Sequence, residues 1–362
     1  MSITNSTTGI VYPTVAAAMS ASSAFDVIAL SPGLYVEEFP LITHSLTIEG
    51  VGGFAHLMTP NPVPANNRAI LFVAGNSGAD LTVRNLELSG ARDPAANGAG
   101  ILFEVGNRNL NIARSWFHDN EDGVLGGGAV GSNVTITLSE FDHNGLAPGN
   151  PRYGLSHNLY LNEFDSVTVT DSYFHDALGG HEIKSRAHAT TITDNRIQDG
   201  PTADTSYSID IPNGGTGVIR GNVIEQGASA INRYAIHYGG EPVGASGQSY
   251  PGSSLVVEDN LLINHRLAGG TAIYNQSNDA GGQSYPAIVT GNTAWNFDQF
   301  YRDRFGAIGP LDLVTGNTLL AGSAPALDTS HPWDEVMEPA SASLLAVALF
   351  ATAALRRRTG RD

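Results

Sequence analysis

Val167-Thr168-Val169-Thr170-Asp171-Ser172-Tyr173-Phe174 and, 23 residues later, Thr190-Thr191-Ile192-Thr193-Asp194-Asn195-Arg196-Ile197 carry one pattern: an alternating strand, a small polar residue, then a second apolar stretch. The pattern recurs on both sides, at Leu81 to Leu88, Leu110 to Phe117, Val134 to Phe141, Gly217 to Ile224, Leu255 to Leu262, Ala287 to Ala294 and Leu311 to Leu319. Its turn positions are Asn85, Ser115, Ser139, Ser172, Asn195, Asn222, Asn260, Asn292 and Asn317, spaced 23 to 38 residues apart. One coil of a solenoid with loops of variable length produces that spread. No coil can bury its apolar face alone; stacked coils hydrogen-bond strand to equivalent strand and line up Val, Ile, Leu and Phe inside. Asn at a corner tolerates a left-handed backbone, and its amide can pair with the amide above. A propeller needs a steadier period, and an α/β barrel needs crossover helices for which there is no room. The predicted fold is therefore all-β: a single-stranded right-handed parallel β-helix of about ten coils over residues 26–320, its hand following the crossover rule. Residues 1–25 hold a short cap helix, Pro13 to Ser22, that covers the first coil. Residues 321–337 read as a linker.

Composition narrows the function. The chain has 362 residues, 41% hydrophobic and 15% charged, with 42 Gly and no Cys, which excludes disorder, disulfide scaffolds and thiolate chemistry. Net charge is −17, so a nucleic-acid partner is not expected, since phosphate binding needs a basic footprint.

The C-terminus, residues 338–362, has its own organisation. Glu338-Pro339 leads into a 16-residue, mostly apolar run from Ala340 to Leu355, then Arg356, Arg357 and Arg358. Sixteen residues fall short of the roughly 20 that span a bilayer unaided, yet the basic flank suits a stop-transfer anchor. This segment resembles a PEP-CTERM sorting signal, with Met337 where the first proline is usual. The resemblance implies transient membrane contact, a C-terminal sorting machinery and an exported, extracellular or cell-surface protein. Met1 to Ile10 contains no Lys or Arg and does not read as a signal peptide.

The opening residues Asp26-Val27-Ile28-Ala29-Leu30, Pro32-Gly33-Leu34-Tyr35 and Leu46-Thr47-Ile48-Glu49-Gly50, after the cap helix, resemble the start of pectate-lyase-like β-helix proteins. That resemblance implies the fold and leaves the activity open, because the superfamily includes lyases, hydrolases, esterases, epimerases and non-catalytic members.

Chemistry is sought in outward columns. Aligning coils on the inward residues Leu159, Ile183, Ile209, Ile236 and Ile273 places Tyr160, Lys184, Asp210, His237 and Tyr274 outward, one above the other at about 4.8 Å. A second predicted column holds Asn158, Glu182, Ser208, Ala235 and Ala272. Lys184 is the only lysine, against seventeen arginines. Arginine serves a salt bridge equally well but cannot be a proton-transfer base, whereas lysine can. An ion-pair ladder of Lys184, Asp210 and Glu182 between coils is the competing reading.

The segment Gly179-Gly180-His181-Glu182-Ile183-Lys184-Ser185-Arg186 resembles the Lys-Ser step of the chondroitinase B and alginate lyase family. The resemblance implies a lysine base acting on the C5 proton of a uronic acid, an assisting arginine and carboxylates holding Ca2+. Lys184 and Ser185 match; the arginine expected near Ser208 to Gly214 is absent, leaving Arg186 or Arg233 to replace it. The expected function is binding and cleavage of an extracellular, uronate-containing polysaccharide by proton abstraction and β-elimination. Lys184 or His237 is the base, Tyr160 the acid and Arg186 or Arg233 the enolate clamp. Glycoside hydrolysis through Glu182 and Asp210 is one alternative, and non-catalytic glycan binding another. Asn158, His157, His181, Arg233, Tyr153 and Tyr274 are candidate substrate contacts, with Tyr238, Tyr250 and Tyr285 as further stacking surfaces. The repeated Trp116-Phe117-His118-Asp119, Phe141-Asp142-His143 and Phe174-His175-Asp176 read as a recurrent turn in preference to a metal ladder.

Overall fold

The computed structural model describes residues 1–200, 203–244 and 247–334. Ser166–Thr170, Tyr173–His175 and Ile183–Ser185 make one turn of the chain, and Ala189–Thr193 begins the next by pairing in parallel with Ser166–Thr170. Among the described residues, repetition of this unit builds three sheets of 13, 9 and 11 strands in which equivalent strands of successive coils pair in parallel, with Ile3–Asn5 and Ile10–Val11 added antiparallel at the N-terminal edge of the first. The chain is thus a parallel β-helix, as the spacing predicts. Inward side chains form one continuous core running from Ile3 to Tyr301. One inward polar pair, Ser185 and Thr190, is satisfied inside by a mutual hydroxyl bond at 2.7 Å.

Corners are built from the predicted turn residues. Asn195, Asn222, Asn260, Asn292 and Asn317 form an amide ladder, each Nδ2 donating to the next Oδ1 at 2.8 to 3.0 Å. Ser115 and Ser139 continue it by donating their backbone N–H groups to the Ser139 and Ser172 hydroxyls, and Ser172 N–H donates to Asn195 Oδ1. The left-handed residue is one position earlier than expected, at Arg114, Leu138, Asp171, Asp194 and Asp259; Asn85 is itself left-handed, and the ladder position of its coil is Leu86, whose N–H donates to Ser115 Oγ. The ladder residue keeps an ordinary backbone because its side chain must point inward to reach the next coil. At another corner Asp119, His143 and Asp176 are the left-handed residues, so the repeated aromatic-polar motif does mark a recurrent turn.

Phe117, Phe141 and Phe174 stack inside at centroid distances of 4.7 and 4.6 Å. Phe141, the fully buried middle ring, has aromatic contacts on both sides. Phe141→Ala is expected to cost about 3–5 kcal/mol in denaturant unfolding, because stacked neighbours cannot close the gap without leaving register.

The cap helix spans Val15–Ala21 and buries Val15, Ala18 and Met19. Thr14 caps it, and the Glu37 carboxylate accepts from the N–H groups of Val15 and Ala16. Residues 321–334 are not a free connector: they run back across the eleven-stranded sheet as a strap. Asp328 pairs with Arg196 at 2.7 Å, the Ser330 carbonyl accepts from Arg196, His331 meets Glu140 at 2.6 Å, and Trp333 packs on Phe54. The sorting-like segment lies outside the described residues. Among those residues no helix is long and apolar enough to cross a membrane.

Candidate active site

The nine-stranded sheet carries the outward column. Parallel register joins Tyr160 to Lys184, Lys184 to Asp210, Asp210 to His237 and His237 to Tyr274. The strands are short here, three residues at Leu159–Leu161, Ile183–Ser185 and Ile209–Ile211, because loops leave and re-enter on either side. Those loops fold over the column, so that Asp210 is 1% and Lys184 9% exposed although both face away from the core.

Asp210 is the hub. Its Oδ1 accepts from His237 Nδ1 at 2.8 Å, while Oδ2 meets His181 Nε2 at 3.4 Å and Lys184 Nζ at 3.5 Å. Burial alone would push this carboxyl up; the His237 bond and the charges around it win, and hold it down at about 2. His237 answers in the other direction: burial favours the neutral ring, but Asp210 raises it above the ordinary 6.5. Its Nε2 lies 3.0 Å from Gln276 Oε1. Lys184 is further held by Glu241 at 3.6 Å and lies 5.4 Å from the centre of the Tyr160 ring. Arg186 closes the group, donating to the Tyr160 hydroxyl at 3.1 Å, to Asn213 at 2.8 Å and to Glu241.

A wall of rings flanks the column. His157, His181, Tyr207, His237 and Tyr274 follow one another at centroid distances of 4.6, 5.1, 4.7 and 5.7 Å. His157 Nδ1 accepts from the His181 N–H, and His181 Nδ1 from the Tyr207 N–H. Each neutral ring therefore carries its proton on Nε2, which aims the His181 donor at Asp210. Burial keeps both neutral, with His181 lowered to about 4 and His157 well below 6.5.

Three predicted contacts lie elsewhere. Glu182 is fully buried at the corner, where it accepts from Ala177 N–H, Asn158 Nδ2 and Thr205 Oγ1. None of these bonds reaches Lys184, Asp210 or His237, and burial raises its carboxyl to about 8. Asn158 belongs to a second amide ladder with Asn120 and Asn144 and is closed to solvent. Arg233 is exposed and packs on Tyr234. Strand alternation misplaced the first two because the strand starts only at residue 183, leaving residue 182 in the turn. Tyr153 fixes its loop by donating to Asp204; Tyr238 and Tyr250 are buried, donating to Gly215 O and Arg186 O. Glu241, Gln276, Asn213 and Tyr207 were not singled out from sequence. Tyr207 was findable, since it stands three residues before Asp210 as His181 stands three before Lys184 and His157 three before Tyr160.

No family model and no curated protein matches the chain. Among solved structures it is similar to a pectin methylesterase variant in complex with a hexasaccharide, at 10% identity and a TM-score of 0.40, covering 92% of this chain and 93% of that one. It is also similar to the pectin methylesterase from Yersinia enterocolitica, at 14% identity and a TM-score of 0.39, covering 91% and 98%.

Proposed function

We propose that the protein is an exported enzyme acting on a uronate-containing polysaccharide by proton abstraction and β-elimination, with its centre on the nine-stranded sheet. One observation carries the reading: Asp210 binds both an imidazole and the only lysine of the chain within one outward column. Three cations, Lys184, Arg186 and protonated His237, face two anions, Asp210 and Glu241, in a chain of net charge −17. That surplus exists while His237 is protonated and supports capture of an acidic sugar; it falls to balance when the ring becomes the neutral base.

In this reading Lys184 is not the base, because its ammonium is committed to two carboxylates. His237, oriented by Asp210, takes the proton from the carbon next to the sugar carboxylate once substrate displaces Gln276 from Nε2. Lys184 and Arg186 hold the carboxylate as negative charge grows on it. The Tyr160 hydroxyl, which accepts from Arg186, gives its own proton to the leaving glycosidic oxygen. The elimination leaves a carbon–carbon double bond and a new chain end. Glu182, facing the corner, offers no partner to Asp210 for hydrolysis.

The test is incubation with uronate polymers, with and without calcium. Ultraviolet-absorbing unsaturated ends are expected. Reducing ends without absorbance would indicate hydrolysis, and polymer bound but unchanged would leave a binding protein. The pH profile adds a second check. A base must be neutral, so kcat/KM is expected to rise with pH, its acidic limb centred above 6.5, while Asp210 at about 2 adds no limb near neutrality. Stability runs the other way: the contribution of charged His237 is complete below 6.5 and is lost as pH climbs through its raised value.

A further inference from the structure

On a different sheet from this column, the eleven-stranded one, the fold brings together His56 from Ala55–Met58, Glu87 from Leu86–Ser89 and His118 from Trp116–His118. Register sets His56 beside Glu87 and Glu87 beside Trp116, so His118 reaches back diagonally over one coil. His56 Nδ1 and His118 Nε2 each lie 3.1 Å from the same oxygen, Glu87 Oε1. Ligands bound tetrahedrally at about 2.0–2.1 Å stand roughly 3.3 Å apart, so the two edges that share Glu87 Oε1 are already nearly those of such a site, and all three groups offer ligand atoms within 4.8 Å of one another.

The far nitrogens strengthen the case. His118 Nδ1 lies 2.7 Å from the Asp119 carboxylate, and His56 Nε2 lies 2.8 Å from Ser89 Oγ. A carboxylate only accepts, so His118 Nδ1 carries a proton toward Asp119, which leaves Nε2 as the ring atom that faces the Glu87 oxygen. A histidine whose far N–H is fixed by a carboxylate is the usual support of a metal-bound imidazole. Side-chain exposures of 15 to 22% leave the three groups reachable by an ion, beneath the Trp116 ring that lies 4.3 Å from His118. The neighbouring set Glu140, Asp142 and His175 differs: Trp116 and His143 already donate to Asp142, and His331 to Glu140.

We propose that His56, Glu87 and His118 bind one divalent ion of the zinc class, with water as fourth ligand, stapling three successive coils. Two imidazoles and one carboxylate on a half-buried surface select a transition metal over calcium, which takes six or more oxygens.

The test strips the whole protein with chelator and titrates it with Zn2+ and, separately, Co2+, reading bound equivalents, thermal midpoint and the visible absorbance of Co2+. One equivalent, a raised midpoint and a tetrahedral Co2+ band are expected. His118→Ala and His56→Ala should each abolish them with the circular dichroism of the sheets unchanged, Glu87→Gln should weaken uptake at least tenfold, and His175→Ala should leave uptake intact. No uptake by the wild type, uptake surviving both histidine substitutions, or loss only with His175→Ala would each overturn the assignment.

Discussion

Asp210→Ala is expected to destabilise the protein by about 3–5 kcal/mol and to abolish turnover. The reason is the company this carboxylate keeps. Removing it leaves Lys184 with its exposed partner Glu241 alone, and leaves the His237 Nδ1 and His181 Nε2 donors in a buried space with no acceptor between them. Asp210→Asn separates the two losses. The amide oxygen can still accept from His237, so most of the stability should return in urea unfolding. The negative charge does not return, and His237 then loses what holds it above 6.5. The acidic limb of kcat/KM should move to lower pH, with kcat reduced by about 10²–10⁴-fold. An unmoved limb would show that the imidazole is not the titrating group.

Lys184→Ala carries the second large effect, a loss of kcat of at least about 10²-fold, as for removal of one preorganised donor to a developing anion. The informative partner is Lys184→Arg. Guanidinium keeps the charge and cannot be a base, so partial recovery by arginine supports a carboxylate clamp, whereas inactivity of both variants in a folded protein returns lysine to the role of base. Circular dichroism and the thermal midpoint should stay close to wild type in Lys184→Arg, because Asp210 and Glu241 still face a cation.

The column could be read from sequence because a solenoid makes register arithmetic. Once Leu159, Ile183, Ile209, Ile236 and Ile273 are identified as inward, the positions of Tyr160, Lys184, Asp210, His237 and Tyr274 follow from alternation. The same arithmetic fails where the strand stops. Glu182 and Asn158 sit in corners, where side-chain direction is set by local hydrogen bonds, and both turn toward the ladder side. Glu241 lies in the loop after Tyr234–Gly239, outside any repeat, so no spacing announces that it meets Lys184 and Arg186. His56 and Glu87 escaped for a related reason: the first coils have the least regular sequence, and the pairing with His118 is diagonal. The strap was hidden because its contacts, Arg196 with Asp328 and Glu140 with His331, join residues more than a hundred positions apart.

That strap changes how the molecule comes apart. A bare stack of coils behaves as a one-dimensional chain of neighbours and frays from its ends. Here the segment leaving the final coil is tied at Arg196, Glu140, Trp116 and Phe54, so peeling the last strands must also drag on the middle and the beginning. A row of independent links becomes closer to a closed loop, and a pull applied at Asp334 reaches the strap contacts before it reaches any rung.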